Sequence, residues 1–222
     1  MKMKKQSLKA KPTDTKAVLS KRRSLSKILP WVLIIVGIIG SLAASIITYD
    51  KLELAANPNF KPACSIDPIL SCGNIMLSDQ ATAFGNIPNP FIGLIAFPVM
   101  IAIGVSMLAG SVVKKRWYWL TFNIINFLAV IFTHWLFYQS VYTIGNLCVY
   151  CMAVWLVTFT SFVYITLYNM EQGYITSKAS WWPRFTAFLR RHHVDIIVLW
   201  AITIITLILN HFWYFYGPKL GF

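Results

Sequence analysis

The sequence predicts an all-α integral membrane protein, a bundle of spanning helices with its amino end inside and its carboxyl end outside. Three observations carry that reading. Of 222 residues, 57% are hydrophobic and only 12% charged, about half the charged share of a soluble domain. Five apolar runs, about 30–49, 90–111, 117–138, 147–168 and 194–216, each approach or exceed the roughly 20 residues that a spanning helix needs. The basic residues are also partitioned. With the amino end inside, segments 1–29, 112–117 and 169–193 hold seventeen Lys and Arg, and the outer segments hold only Lys51, Lys61 and Lys219. That bias sets orientation.

The chain opens on a basic stretch, 1–29, with ten Lys and Arg before Pro30 among Ser and Thr. Such a composition predicts a disordered cytoplasmic tail that can lie on anionic lipid. Because half of the basic residues sit in this one tail, the net charge of +13 points to a lipid surface and not to nucleic acid. The first span carries small residues at Ala43, Ala44 and Ser45 that resemble a signal-peptide cleavage region. The long basic region before it and the need of the other spans for packing partners favour its retention.

One connection is long, 50–89 on the outer side, and a loop of that length in a small bundle is usually functional. Asp50 to Ala56 can extend the first helix beyond the membrane. Pro58, Pro62 and Pro68 keep the chain irregular through Cys64 and Cys72. Ser78 before Asp79–Phe84 and Gly85 predicts a short capped helix with a glycine stop. Its neighbours Ile75, Met76, Leu77, Ala81 and Phe84 suggest a lid over the bundle mouth. Asn89 then Pro90 reads as cap and first turn of the second span.

The third span begins in an interfacial cluster, Trp117, Tyr118 and Trp119. Asn123 and Asn126 on its inner half suit hydrogen bonds between helices. His134 and Tyr138, one turn apart on its outer half, are candidates for the bundle interior. An interhelical hydrogen bond is the favoured role for His134, with proton delivery as the other. Gly145-Asn146 opens the fourth span with Asn146 as its expected N-cap, which places Cys148 and Cys151 in the first two turns. Residues three apart share a helix face, with Cβ atoms about 5–6 Å apart, near the range a disulfide accepts. Free N–H groups at a helix start favour a thiolate. Between the fourth and fifth spans, Trp181, Trp182, Pro183, Phe185 and Phe188 among Arg184, Arg190 and Arg191 predict a short amphipathic surface helix. Trp213, Tyr214 and Tyr216 mark the outer end of the fifth span.

The four cysteines therefore share one side, as a pair with seven residues between and a pair with two. Zinc binding is disfavoured by the wide spacing in an outer loop, and haem attachment by Met152 where a histidine would follow the pair. Two structural disulfides are the serious alternative, but a bond three residues apart closes almost no loop and stabilises little. A two-stage redox relay is the favoured reading. Transport is disfavoured, since no charged residue lies deep in a span and no broken-helix pair is visible.

These motifs resemble the vitamin K epoxide reductase family over about residues 30–170. They are Cys64-x7-Cys72 in the first outer loop, Ser78 six residues later, Asn89-x-x-x-Gly93 opening the second span and Cys148-x-x-Cys151 opening the fourth. The resemblance implies a four-helix catalytic bundle, 30–168, around a quinone of menaquinone, ubiquinone or vitamin K type. Residues 169–193 then form a cytoplasmic loop, and 194–222 a fifth helix and short outer tail of the kind bacterial members carry. It implies a bacterial plasma-membrane enzyme with its active site on the extracytoplasmic face. Some bacterial members continue into a thioredoxin-like domain. Here the chain ends near Phe222, so a separate thioredoxin-fold (DsbA-like) partner is expected. By the same resemblance Cys64 exchanges with partner thiols, Cys72 passes electrons to Cys148 and Cys151 faces the quinone. Asn89 and Ser78 are the implied polar contacts of that site, and Trp155, Tyr138 and His134 are its further candidate quinone contacts. Trp155 stands where vertebrate members have a tyrosine, an aromatic wall without the hydroxyl. The function implied is a thiol oxidase that reoxidises a disulfide-forming protein. The alternative is a quinone or quinone-epoxide reductase driven by a dithiol. The disulfide-bond protein B type is disfavoured because its two kinds of pair lie in the opposite order.

Overall fold

The computed structural model describes residues 25–83, 85 and 87–219. The chain order is α1 (Leu25–Ala56), α2 (Cys72–Met76), a 3-10 turn (Asp79–Thr82), α3 (Asn89–Leu108), α4 (Arg116–Tyr138), a π-helical turn (Gln139–Ile144), α5 (Val149–Glu171), α6 (Trp182–Arg191), α7 (His193–His211) and α8 (Trp213–Lys219). Five helices are long and apolar enough to cross a membrane: α1, α3, α4 with its π extension, α5 and α7. The predicted all-α membrane class and the five spans are what the structure shows.

Helix α1 packs between α3 and α5, and α4 packs on α5. Lipid tails are as apolar as the side chains, so helix association relies on close packing and interhelical hydrogen bonds. Both devices are present. A Cβ on Gly37 would lie 2.9 Å from the Phe97 carbonyl oxygen, and one on Gly104 would lie 2.7 Å from that of Pro30. Only glycine lets α1 and α3 approach this closely. Between α4 and α5, Asn126 Oδ1 accepts from Ser161 Oγ at 3.0 Å and Asn123 Oδ1 accepts from Thr166 Oγ1 at 2.9 Å, the bonding role expected for both asparagines. Helix α7 joins the bundle through Trp200, which stacks on Phe159 with ring centres 4.5 Å apart.

Several boundaries differ from the prediction. Helix α1 already runs at Leu25, whose N–H donates to Glu171 Oε2 at 3.0 Å, so the end of α5 caps the start of α1. It continues through Ala56, as expected for an extension past the membrane. The third span persists as a π turn to Ile144, where Gly145 at φ +70° ends it. The fifth span breaks at buried Phe212, whose ψ of 18° is not helical. The predicted helix after Ser78 is only the four-residue 3-10 turn, with Gly85 at φ +72° as its stop; Phe84 lies outside the described residues, as do the first 24. Helix α6 forms over the predicted amphipathic stretch, with Pro183 in its first turn and Trp181, Phe185 and Phe188 exposed beside it.

Candidate redox site

The loop after α1 is shaped by a short-range turn. Asp67 Oδ1 accepts from the N–H groups of Ile69 at 2.9 Å and Leu70 at 2.7 Å, an Asx turn of the kind Asp-Pro sequences favour. It folds the chain back so that Cys64 meets Cys72 at the start of α2. The two are joined by a disulfide, with Cα atoms 5.7 Å apart.

The folded loop is fastened to the start of α5. Leu147 N donates to Ile69 O at 2.7 Å within an isolated parallel bridge between Leu70 and Leu147. Beside it, Asn146 Nδ2 donates to Pro68 O at 2.7 Å, and Asn146 Oδ1 accepts from Asn74 Nδ2 at 3.0 Å. The π turn holds this segment from the other side. Asn146 N donates to Ser140 O at 3.1 Å, and Ser140 Oγ donates back to Asn146 O.

Asn146 is therefore not the N-cap of the fourth span. Its carboxamide is committed to the loop, and the helix begins two residues later with Cys148 as the cap. There the Cys148 Sγ accepts from the Cys151 N–H at 3.4 Å. The sulfur takes the place of a capping oxygen, where the positive end of the helix stabilises negative charge. Cys148 and Cys151 are free thiols. Cys64, Cys72 and Cys148 are buried in one cluster with Ile47, Leu54 and Met76, and Cys151 packs against it. Residues separated by more than seventy positions thus bring all four sulfurs to one end of the bundle.

Next to this cluster lies a partly open cavity. It sits between α3 and α4, with α1 and α5 behind and the lid segment above. Cys148, Cys151, Trp155, Asn89 and Ser78 all line it. The lining is otherwise largely apolar, with Phe97 and Phe132 beside Trp155. An apolar, aromatic-walled space with a few polar groups is the usual form of a small-ligand site.

The polar residues at its rim have structural duties that local spacing did not reveal. Asn89 is the first residue of α3 and not its cap. Its Nδ2 donates to Gln80 O at 2.7 Å and its Oδ1 accepts from Ala83 N at 3.0 Å, pinning the lid to the bundle. Ser78 Oγ donates back to Ile75 O at 2.7 Å and caps nothing. Lys51 Nζ donates to Met76 O at 3.2 Å, a further tie to the lid. Ile75, Met76 and Ala81 line the cavity as the lid reading expected, whereas Leu77 is 72% exposed and faces away.

His134 and Tyr138 are not among the cavity-lining residues. His134 Nε2 accepts from Trp200 Nε1 at 2.8 Å, and its Nδ1 lies 2.7 Å from Val130 O. Both ring nitrogens are thus used, one of them between helices as favoured from the sequence. Tyr138 is 56% exposed and leans on Tyr142. Trp155 is buried and meets Phe137 edge-on at 5.3 Å.

Two buried polar residues at this end hold places that local spacing does not reveal. Asn146 was visible only as a helix-start signal, yet it is the main side-chain tie of the loop. Asp50 was visible only as part of the extension of α1, yet it is 6% exposed with Oδ2 lacking a hydrogen-bond partner. Its spacing from Ile47 and Leu54, three and four positions away on one helix face, was the available signal.

The family model for the vitamin K epoxide reductase family matches residues 31–166. The chain belongs to that family. The match takes in both cysteine pairs, the lid and the helices that line the cavity, and it leaves α6, α7 and α8 outside. Among curated proteins, none matches the chain. Vitamin K epoxide reductase family membership makes this a membrane oxidoreductase of the quinone or quinone-epoxide thiol type. The residues around the cavity fit a quinone. Trp155 and Phe97 offer flat apolar walls, and Asn89, Ser78 and Cys151 are among the few polar residues that line the space.

Proposed function

We propose that this protein is a thiol oxidase that withdraws electrons from a thioredoxin-fold, disulfide-forming protein and delivers them to a membrane quinone. One observation carries the reading: the loop disulfide and Cys148 share a single buried cluster with Cys151 packed against it, and Cys148 and Cys151 also line the cavity. Partner thiolate attacks Cys64, freeing Cys72. Cys72 then attacks Cys148 in an oxidised α5 pair, and Cys151 is released facing the cavity. Each exchange needs a thiolate approaching a sulfur along an open line. The order Cys64, Cys72, Cys148, Cys151 runs from the loop toward the cavity.

A quinone bound in the cavity supplies the two-electron acceptor, and such an acceptor keeps a compartment oxidising kinetically. The protein's part is to hold Cys151 at the cavity wall, to exclude water with the lid, and to keep that lid pinned at the rim through Asn89. By the positive-inside bias the cysteine end faces away from the cytoplasm, in the manner of a bacterial plasma membrane. The domain plan follows, with 30–168 as the catalytic unit, 169–193 as a cytoplasmic connection and 194–222 as an added span.

The test uses purified full chain in bilayer discs with a reduced thioredoxin-fold protein and menaquinone, ubiquinone or vitamin K. Thiol oxidation coupled to quinone reduction is expected, and Cys151→Ala abolishes it. Quinone-dependent oxidation by Cys151→Ala at the unsubstituted rate would overturn the pathway. Turnover only toward quinone epoxide would show the reductase direction instead.

A further inference from the structure

Asp50 stands out among the buried groups that the pathway leaves unused. It lies on α1 between Ile47 and Leu54, and both of these belong to the buried cluster that holds Cys64, Cys72 and Cys148. Positions three and four apart share a helix face, so the carboxyl group is presented to the same cluster. It is 6% exposed, and its Oδ2 is buried without a hydrogen-bond partner. Among the described residues, neither ion pair involves it. The adjacent Lys51 places its ammonium on the Met76 carbonyl. Burying a carboxylate without a partner is costly, and the packing of the cluster does not require it.

We propose that Asp50 is the proton carrier for thiol–disulfide exchange between the loop pair and the α5 pair. The proposal rests on the two-pair pathway above. Two thiols and one disulfide enter, and the same number leave. The Asp50 carboxylate takes the proton of Cys72 as the Cys72 sulfur attacks Cys148. The Cys148–Cys151 bond breaks, and its electron pair goes to Cys151, which takes a proton from water. Cys64 gives its proton to water and attacks Cys72. The Cys72–Cys148 bond breaks with its electron pair on Cys148, and Asp50 returns the proton there. The carboxyl group is thus uncharged while the neighbouring sulfur carries charge, so two anions never coexist in the cluster. The ionisable groups around it are Cys148, Cys151 and Tyr150 on α5, the two loop sulfurs, and Tyr49, Lys51 and Glu53 on its own helix.

The experiment needs no quinone. The full chain, fully oxidised in detergent, receives one equivalent of a soluble dithiol. Samples are quenched with acid and alkylated, and peptide masses show which pair holds the remaining disulfide over time. Asp50→Asn keeps the shape of the side chain. It is expected to slow transfer between the pairs about a hundredfold, the scale of general acid–base catalysis, without changing the final distribution. Its rate should rise with pH more steeply than that of the unsubstituted protein, because the Cys72 proton is then lost only to solvent. Asp50→Glu should restore the rate to within about threefold, because the carboxyl group is retained. Asp50→Ser gives the same test should the asparagine variant fail to fold. If transfer in Asp50→Asn keeps the original rate and pH profile, Asp50 is not the carrier while the pathway stands. If the unsubstituted protein never moves its disulfide between the pairs, the pathway fails and the carrier with it.

Discussion

Replacing Asn146 by alanine removes the side chain that fastens the disulfide loop to the start of α5. Two good hydrogen bonds are lost, the 2.7 Å bond to Pro68 O and the 3.0 Å bond from Asn74. At the low end of the usual range each contributes about 0.5 kcal/mol net, and leaving a buried acceptor unsatisfied costs about 1–3 kcal/mol more. Local destabilisation of roughly 2–4 kcal/mol follows by the same bookkeeping. At about 1.4 kcal/mol per decade, that weakens loop docking by a factor of some thirty to a thousand. The direct reporter is the Leu147 amide, which is bonded to Ile69 O at 2.7 Å across the same junction. Hydrogen exchange measured by mass spectrometry should show its protection falling by at least about thirtyfold. The Ser161 to Asn126 region, deep in the bundle, should be unchanged. Reduction of the Cys64–Cys72 bond by a bulky soluble phosphine should quicken in parallel. Unaltered protection at Leu147 would show that the loop is held by something other than Asn146.

Three further outcomes follow from the packing. Gly104→Val drives a branched side chain against the Pro30 carbonyl and should cost about 1–3 kcal/mol by overpacking; an unchanged unfolding temperature in detergent would contradict the close α1–α3 contact. Trp155→Phe should keep the contact with Phe137, whereas Trp155→Ala should cost about 3–5 kcal/mol; equal stability of the two variants in a denaturant series would refute a packing role. His134→Phe removes the bond from Trp200 and should cost only about 0.6–1.7 kcal/mol, as interhelical bonds in membranes do. Transfer of electrons between the cysteine pairs should be unaffected, and a tenfold loss would mean that His134 serves the site.

The large features were legible because they are written in one-dimensional patterns. Run length gives the spans, and proline in the first turn gives the start of α6. The pairing of Asn123 and Asn126 with α5 follows from the scarcity of other partners in lipid. The cysteine pairs were legible as pairs, but their meeting depends on contacts across more than seventy residues that no spacing encodes. Asn146 shows the limit most clearly. An asparagine before a helix usually caps it with its Oδ1, and here that oxygen accepts from Asn74 Nδ2 in place of the local N–H groups, leaving Cys148 to cap with sulfur. Asn89 likewise looks like a cap but spends its carboxamide on the lid. His134 and Tyr138 share a face by periodicity, yet periodicity does not say which neighbouring helix that face meets.

The Leu70–Leu147 bridge joins the disulfide loop to the start of α5 through the Leu147 N–H and the Ile69 carbonyl. A junction made of main chain is indifferent to side-chain identity so long as an apolar residue fills the buried space. Substitutions can therefore accumulate on either side of it over generations without severing it, and diverged relatives could retain the contact while sharing no residue there. At Leu147 itself the replacement that breaks it is proline, which deletes the donor.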